Sequence, residues 1–374
     1  MIDKDIYCSM IHGGLNLNFK TGQLQVQSCC LHGKNSLVDK STDLWQQQVL
    51  LDLRQKNKQN IWDDTCSKLC CQVEKSNLVS MRLGMNQGLT PNEQLDNLTG
   101  PIRIDLMFDL GCNLACRICG PDNSTLWQKH LKEHGKWPAP ISSPINKEQV
   151  IAQLKSLDLS NLRMLVFAGG ETLLGQAYWD VAAWLADNVP NAKQNLTLCF
   201  QTNGTQPISM RNFDIIEKFY LVKIHVSLDG TKERFEYQRW PASWNQTTDN
   251  ILTMRDTLPS NVMFLIEETI SIFNLAYLDE LAQWTKEHFS TNREGDITVL
   301  SRHLAIGTYS IDFLSQEYVD DIIKCQQLIP TTWKEQPVGI TIMIQQIKQF
   351  DQYRNQSFSK TFPEVAEYYK RYLT

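Results

Sequence analysis

The chain has 374 residues, 42% hydrophobic and 21% charged, the make-up of a folded protein with room for about two domains rather than a disordered or fibrous one. Its formal net charge of -5 argues against a broad electrostatic surface for nucleic acid. The N-terminal MIDKDIYCSM lacks the basic-then-apolar pattern of a secretory leader, and no stretch approaches ~18 apolar residues, so a soluble cytoplasmic protein without a membrane segment is expected.

Eleven cysteines in such a chain point to ligands rather than disulfides. One group comprises Cys8, Cys29, Cys30, Cys66, Cys70 and Cys71, and a second Cys112, Cys116 and Cys119; Cys199 and Cys325 stand alone. Taken in order, residues 8–30 read as a hairpin flanked by cysteines, with Leu15, Leu17 and Phe19 alternating before a turn at Lys20-Thr21-Gly22, then Leu24 and Val26. The hairpin brings Cys8 close to the Cys29-Cys30 pair. A helix is expected over 42–56. If Cys66 begins another, Cys66 and Cys70 share one face while Cys71 points elsewhere. Cys8, Cys29, Cys66 and Cys70 then make a four-thiolate site suited to zinc or to an iron-sulfur cluster, with Cys30 and Cys71 as competitors.

From residue 102 strands alternate with helices. Strands are expected at 102–108, 162–167, 196–201, 221–228, 262–270 and 297–300, and helices at 123–134, 147–157, 176–188, 211–219, 244–257 and 275–288. This alternation predicts an α/β fold with a parallel sheet, a partial (β/α)6 TIM-like barrel following a small cysteine-rich hairpin and helix module, with function at the carboxyl ends of the strands. The expected domains are 1–98, 99–304 and a helical extension over 305–374. The proline-rich GKWPAPISSP at 135–144 reads as a surface loop, and Phe362, Val365, Tyr368, Tyr369 and Tyr372 as one amphipathic packing stripe.

Polar motifs close four successive strands. DLGCNLACRICGP after the first places Cys112, Cys116 and Cys119 on one loop; a triplet leaves structural zinc one ligand short but can hold a cubane with its fourth iron open. FAGGETLL after the second supplies Gly169 and Gly170 for close backbone approach and Glu171 as a carboxylate for an ammonium group. QTNGT after the third offers Thr202 and Asn203. SLDGTKERFEYQRW after the fourth offers Ser227, and Arg239 as a fork for a carboxylate. The alternative for the triplet is a zinc knuckle completed by a distant residue, or three buried thiols; GGE, TNG and SLDG have one as ordinary turns.

In this order CNLACRIC, GGE, TNG and SLDG resemble the radical S-adenosylmethionine (radical SAM) superfamily. The resemblance implies that Cys112, Cys116 and Cys119 ligate a 4Fe-4S cluster, that S-adenosylmethionine chelates its open iron, that Glu171 holds the amino group, and that Ser227 and Arg239 address the carboxylate or ribose. Ile118 stands where an aromatic residue commonly precedes the third cysteine. Cys8, Gly22, Cys29-Cys30, Cys66, Cys70 and Glu74 resemble the auxiliary module of the twitch and SPASM subgroup, which implies a second 4Fe-4S cluster. Here, however, the module precedes the barrel, and the closely spaced pair is CxxxC. The implied activity is reductive cleavage of S-adenosylmethionine and hydrogen abstraction from a peptide or protein side chain, with a one-electron donor such as a flavodoxin or ferredoxin as partner. Competing readings are modification of a small metabolite or carbohydrate, and a non-catalytic iron-sulfur or zinc protein. Cys325 is a candidate hydrogen-atom donor, set against a packed helical residue. Cys199 and the seven histidines read as packing or surface residues.

Overall fold

The computed structural model describes residues 6–19, 23–32, 36–75, 79–87, 95, 97–136, 146–289, 300–305, 307–322, 329 and 333–373. Two compact units divide the chain: residues 1–111, 138–201 and 209–223 form the first, and 112–137, 202–208 and 224–374 the second. The described strands are β1 Gly14–Asn18, β2 Gln25–Gln27, β3 Ser36–Leu37, β4 Arg103–Met107, β5 Met164–Phe167, β6 Thr197–Thr202, β7 Leu221–Ser227, β8 Val262–Ile270 and β9 Leu300–Leu304. They form a nine-stranded, mostly parallel sheet in the order β3-β2-β1-β4-β5-β6-β7-β8-β9. The class is the α/β fold expected from the alternation of strands and helices.

In the first unit the cysteine-flanked hairpin is part of this sheet. β1 pairs antiparallel with β2 and parallel with β4, with Leu15 opposite Ile104 and Leu17 opposite Leu106. All five residues of β1 are buried, the pattern of a strand covered on both faces. Its off-pattern polar residue Asn16 accepts at its side-chain oxygen from the Gln27 amide at 3.1 Å, while its own amide nitrogen has no partner among the described residues. β4, β5 and β6 continue in parallel, stacking Leu106, Phe167 and Phe200 across the register. Such apolar runs are what strands buried on both faces require. Cys199 is buried within β6.

Several helices differ from the sequence expectation for local reasons. The helix expected at 42–56 is a 3-10 turn, Leu44–Gln46, followed by Gln48–Lys58. Between them the buried Gln47 takes an extended backbone, and its amide donates to the carbonyls of Asp39, Thr42 and Asp43. Cys66 and Cys70 do not share one continuous helix: Leu69, at φ -106 and ψ -90, separates Asp64–Lys68 from Cys70–Lys75. The segment 211–219 begins as a 3-10 turn, Met210–Asn212, and its helix is the short Phe213–Ile216.

In the second unit β8 pairs parallel with β9, which begins at Leu300; 297–299 lie outside the described residues. The helix Lys232–Gln238 was not anticipated, because its charged residues mask the apolar pair Phe235 and Tyr237 that it buries. The longest described helix, Pro337–Arg354, buries Ile340, Met343, Ile344 and Ile347, the i, i+3, i+4, i+7 stripe of an amphipathic helix. These residues pack with Phe358, Phe362, Val365 and Tyr369 against Tyr237 and Phe273, and Ile118 of the cysteine loop joins the same core. The C-terminal stripe is split into Pro363–Tyr368 and Lys370–Leu373, with Pro363 at a first-turn position where its missing N–H costs nothing. Residues 137–145, most of the proline-rich loop, and Cys325 lie outside the described residues.

Candidate functional site

The cysteine triplet belongs to the second unit. Its loop is held from two sides. Ala115 and Arg117 donate their N–H groups to the carbonyls of Trp240 and Gln238 at 2.8 and 2.7 Å. Ser124, which caps the helix Thr125–Glu133, donates its hydroxyl to Leu114 O at 2.5 Å, and the Trp127 indole donates to Cys116 O at 2.9 Å. A Cys119 N–H to Cys116 O bond of 3.1 Å turns the chain so that both sulfurs belong to one tight bend. Cys116 is buried, and that burial pushes its thiol up to about 12, with Arg239 opposing. A metal ligand there must be deprotonated, so loading the loop displaces a tightly held proton.

Two strand-end motifs reach these sulfurs. Asn203 accepts from Thr205 N and Thr205 Oγ1 at 2.9 and 2.6 Å and donates its amide to Asn113 Oδ1 at 3.0 Å; the same amide lies 3.9 Å from Cys112 Sγ. Thr202 turns inward and accepts from Gly204 N at 3.1 Å. Arg239 is buried, with Nη2 2.8 Å from Asp229 Oδ2 and Nη1 4.0 Å from Cys116 Sγ. Burial alone would lower the guanidinium pKa, but Asp229 and Cys116 hold it above its ordinary value. The carboxylate in the Arg239 fork is thus that of Asp229 from SLDG, a residue read from the sequence only as half of a turn dipeptide. Ser227 lies half-buried at the end of β7, on the face opposite Val226.

GGE belongs to the first unit. Gly169 and Gly170 have φ of 84 and 55 degrees, the left-handed region that glycine enters without a Cβ penalty. Glu171 is buried; its N–H donates to Gly111 O at 2.7 Å and its Oε1 accepts from Leu173 N at 3.0 Å. Gly111 immediately precedes Cys112 in the chain. Tyr178, which sequence reasoning did not single out, pins the same corner. Its hydroxyl lies 3.1 Å from Ala168 O and 3.2 Å from Gly169 O.

The six upstream cysteines also belong to the first unit. Cys8, Cys29, Cys66 and Cys70 line one cavity with apolar neighbours including Met10, Ile11 and Leu53. Burial pushes Cys29 and Cys66 up to about 12 and raises Cys8. Cys30 does not line the cavity; it is exposed, and apart from Cys29 the charges acting on it are Asp105 and Arg103. Cys71 is buried and also absent from the lining. Glu74 sits beside this group in a two-point pair with Arg82, at 2.9 and 2.7 Å, and accepts from Ser80 Oγ at 2.5 Å. Among the described residues no three His, Cys, Asp or Glu side chains close up around a single-ion position. Four cysteines around one apolar cavity, and three on one loop with nitrogen donors near two of their sulfurs, suit thiolate-held clusters as a donor set.

The histidines are packing residues or sit in polar pairs. His12 meets Asn57 Oδ1 at 2.9 Å, His32 meets Asp63 at 3.1 Å, and His225 meets Glu267 at 2.7 Å.

Residues 108–274, which contain the triplet, GGE, TNG and SLDG, match the Radical SAM superfamily. No curated protein matches the chain. Among solved structures it is similar to hexahistidine-tagged anSMEcpe with bound AdoMet, at 16% identity over 66% of this chain and 57% of that one, TM-score 0.40. It is also similar to Streptococcus suis SuiB bound to its precursor peptide SuiA, at 11% identity over 90% of this chain and 60% of that one, TM-score 0.39. The chain thus spans less than two thirds of the length of either protein. Among the described residues no helix is long and apolar enough to cross a membrane.

Proposed function

We propose that the chain is a radical SAM enzyme. The observation that carries this reading is the cysteine triplet within the matched segment, where Asn203 and Arg239, from the strand-end motifs, approach the sulfurs of Cys112 and Cys116. When bound, a 4Fe-4S cluster with S-adenosylmethionine supplies a one-electron cleavage that releases methionine and a 5′-deoxyadenosyl radical able to abstract hydrogen. The part played by the protein is to hold, orient and shield. Cys112, Cys116 and Cys119 hold the cluster, and Asn203 and Arg239 place N–H donors near two of the sulfurs. Glu171 receives the ammonium group of the cofactor, and Gly169 and Gly170 let the backbone approach it. Ser227 and Thr202 address its ribose or carboxylate.

Cys8, Cys29, Cys66 and Cys70 are proposed to hold a second cluster in a module spanning 1–98, ahead of a catalytic domain at 99–304 and a helical extension at 305–374. The substrate proposed is a peptide or protein side chain. That choice, like an external flavodoxin or ferredoxin as electron donor, rests on the resemblance of the cysteine module and motifs, and a cytoplasmic location on cysteines used as ligands rather than disulfides.

Anaerobic reconstitution followed by iron and 5′-deoxyadenosine measurement tests this reading. About eight irons per chain are expected if both sites are cubanes. Replacing Cys112, Cys116 and Cys119 together by alanine should keep about four and abolish 5′-deoxyadenosine. Stoichiometric zinc with no reductive cleavage would overturn it.

A further inference from the structure

Among the described residues, one buried charge near the cysteine loop has no ion-pair partner of opposite sign. Arg354 ends the helix Pro337–Arg354 and is buried. Its guanidinium carbon lies 4.6 Å from the Trp127 ring centre, 5.0 Å from Trp240 and 5.1 Å from Phe350. Neither terminal nitrogen has a hydrogen-bond partner among the described residues. Its Nε is 3.5 Å from His130 Nε2. Burial first, and then Arg354 itself, push that ring down to about 4, so near neutral pH it carries no charge.

Arg117, between Cys116 and Cys119, is buried beside the same group. Its Nη2 donates to Asp351 Oδ1 at 2.6 Å and to Gln356 Oε1 at 2.9 Å, while Nε and Nη1 have no partner among the described residues. Asp351 is already shared: it also accepts from the Tyr237 hydroxyl at 2.7 Å and from Phe358 N at 2.6 Å. Among the described residues, Asp351 is thus taken up by Arg117, Tyr237 and Phe358 N and pairs with no nitrogen of Arg354. The helix end that carries Arg354 contributes only a partial negative charge, roughly half a unit. Burial pulls Arg354 down to about 9, and Arg117 adds to this, which still leaves it protonated at neutral pH. An uncompensated buried charge is costly unless something negative lies near. Trp127 leads to one candidate: its ring bears Arg354 on its face, and its indole N–H is bonded to the carbonyl of Cys116, whose thiolate acts on Arg354.

We propose that Arg354, together with Arg117, is the counter-charge for a cluster on Cys112, Cys116 and Cys119, set there to favour its reduced form. This rests on reading the triplet as the cluster site. Three thiolates leave such a cluster net negative, and one electron from an external reductant makes it one unit more so. A fixed positive charge stabilises the reduced state more than the oxidised one, and low local dielectric magnifies the difference. No bond is made or broken in this step. Arg354 is a positioning residue for charge and does not touch the reacting atoms.

The test is a mediated redox titration of the full-length reconstituted chain by electron paramagnetic resonance. Responsiveness to added S-adenosylmethionine identifies the triplet cluster. At the wild-type midpoint, Arg354→Met should lower the ratio of reduced to oxidised cluster about tenfold, which for a one-electron couple is ~59 mV. Arg354→Lys, which keeps the charge, should stay close to wild type. Asp351→Asn, which removes the opposing charge, should move the ratio the other way. A structural role alone would not produce opposite signs. An unchanged midpoint in a fully loaded Arg354→Met chain, or an Asp351→Asn chain that shifts downward or not at all, would overturn the inference. If Arg354→Met fails to load iron, the sign in Asp351→Asn decides. A wild-type chain with no signal responsive to S-adenosylmethionine would instead refute the proposed function.

Discussion

Replacing Gly170 by alanine tests how GGE is built. At φ of 55 degrees an alanine costs ~1–2 kcal/mol before any contact is considered. Its Cβ would stand 2.6 Å from Gly111 O and 3.0 Å from both Asp109 O and the carbonyl carbon of Leu110, all of them backbone atoms. No side-chain rotation relieves that. The segment 109–111 must withdraw, which breaks the 2.7 Å bond from Glu171 N to Gly111 O and loses a further ~1 kcal/mol. The local loss is therefore about 2–3 kcal/mol. Because Gly111 leads directly into Cys112, the effect should appear at the triplet as well as in overall stability. Denaturation of the unloaded chain, iron content after reconstitution and 5′-deoxyadenosine formation measure the three consequences. The expected result is a lower midpoint, with iron and cleavage falling together. Gly84→Ala is the control: nothing lies within 4 Å of its Cβ and it sits inside the helix Met81–Asn86, so a gain of ~0.5–1 kcal/mol is expected. If Gly170→Ala kept wild-type stability, iron and cleavage, the cradle described around Gly111 would be wrong.

The auxiliary cavity makes a ligand prediction: Cys66→Ser with Cys70→Ser should remove about four irons, whereas Cys30→Ser should remove none, and equal iron loss in both would contradict the lining. Glu74→Gln leaves the buried Arg82 guanidinium without its carboxylate, so a loss of ~3–5 kcal/mol in urea unfolding is expected; an unchanged midpoint would show that the pair contributes nothing. Glu268 lies buried on β8 beside Arg302 at 2.9 Å, with its Oε1 unpartnered among the described residues. Burial, opposed by Arg302, lifts its carboxyl to about 7. Since the folded chain then holds this proton more tightly than the unfolded one, stability should decline as pH rises from ~4.5 through ~7, by up to ~3 kcal/mol. Glu268→Gln should flatten that decline, and parallel melting profiles of the two chains between pH 5 and 8 would refute it.

What could be read from the sequence was set by short-range periodicity and spacing. The helices Gln176–Asn188 and Trp244–Thr257 and the strand Val262–Ile270 fall where expected, because their apolar period lies within one element. The spacing of Cys112, Cys116 and Cys119 likewise placed them on one loop, and the order of strand-end motifs carries the resemblance on which the proposed site rests. Boundaries slipped where a side chain competed with the helix backbone, as at Gln47, or where charge masked a short apolar face, as in Lys232–Gln238.

Tertiary structure alone decided the partners. Parallel pairing of β1 with β4 draws the hairpin into the sheet. Which of Cys29 and Cys30 lines the cavity depends on how the hairpin enters it. Arg239 meets Asp229, and Arg117 meets Asp351 across 234 residues of chain. Contacts between distant segments leave no local pattern, since each partner is chosen by the shape and charge of a core that exists only once the chain has folded.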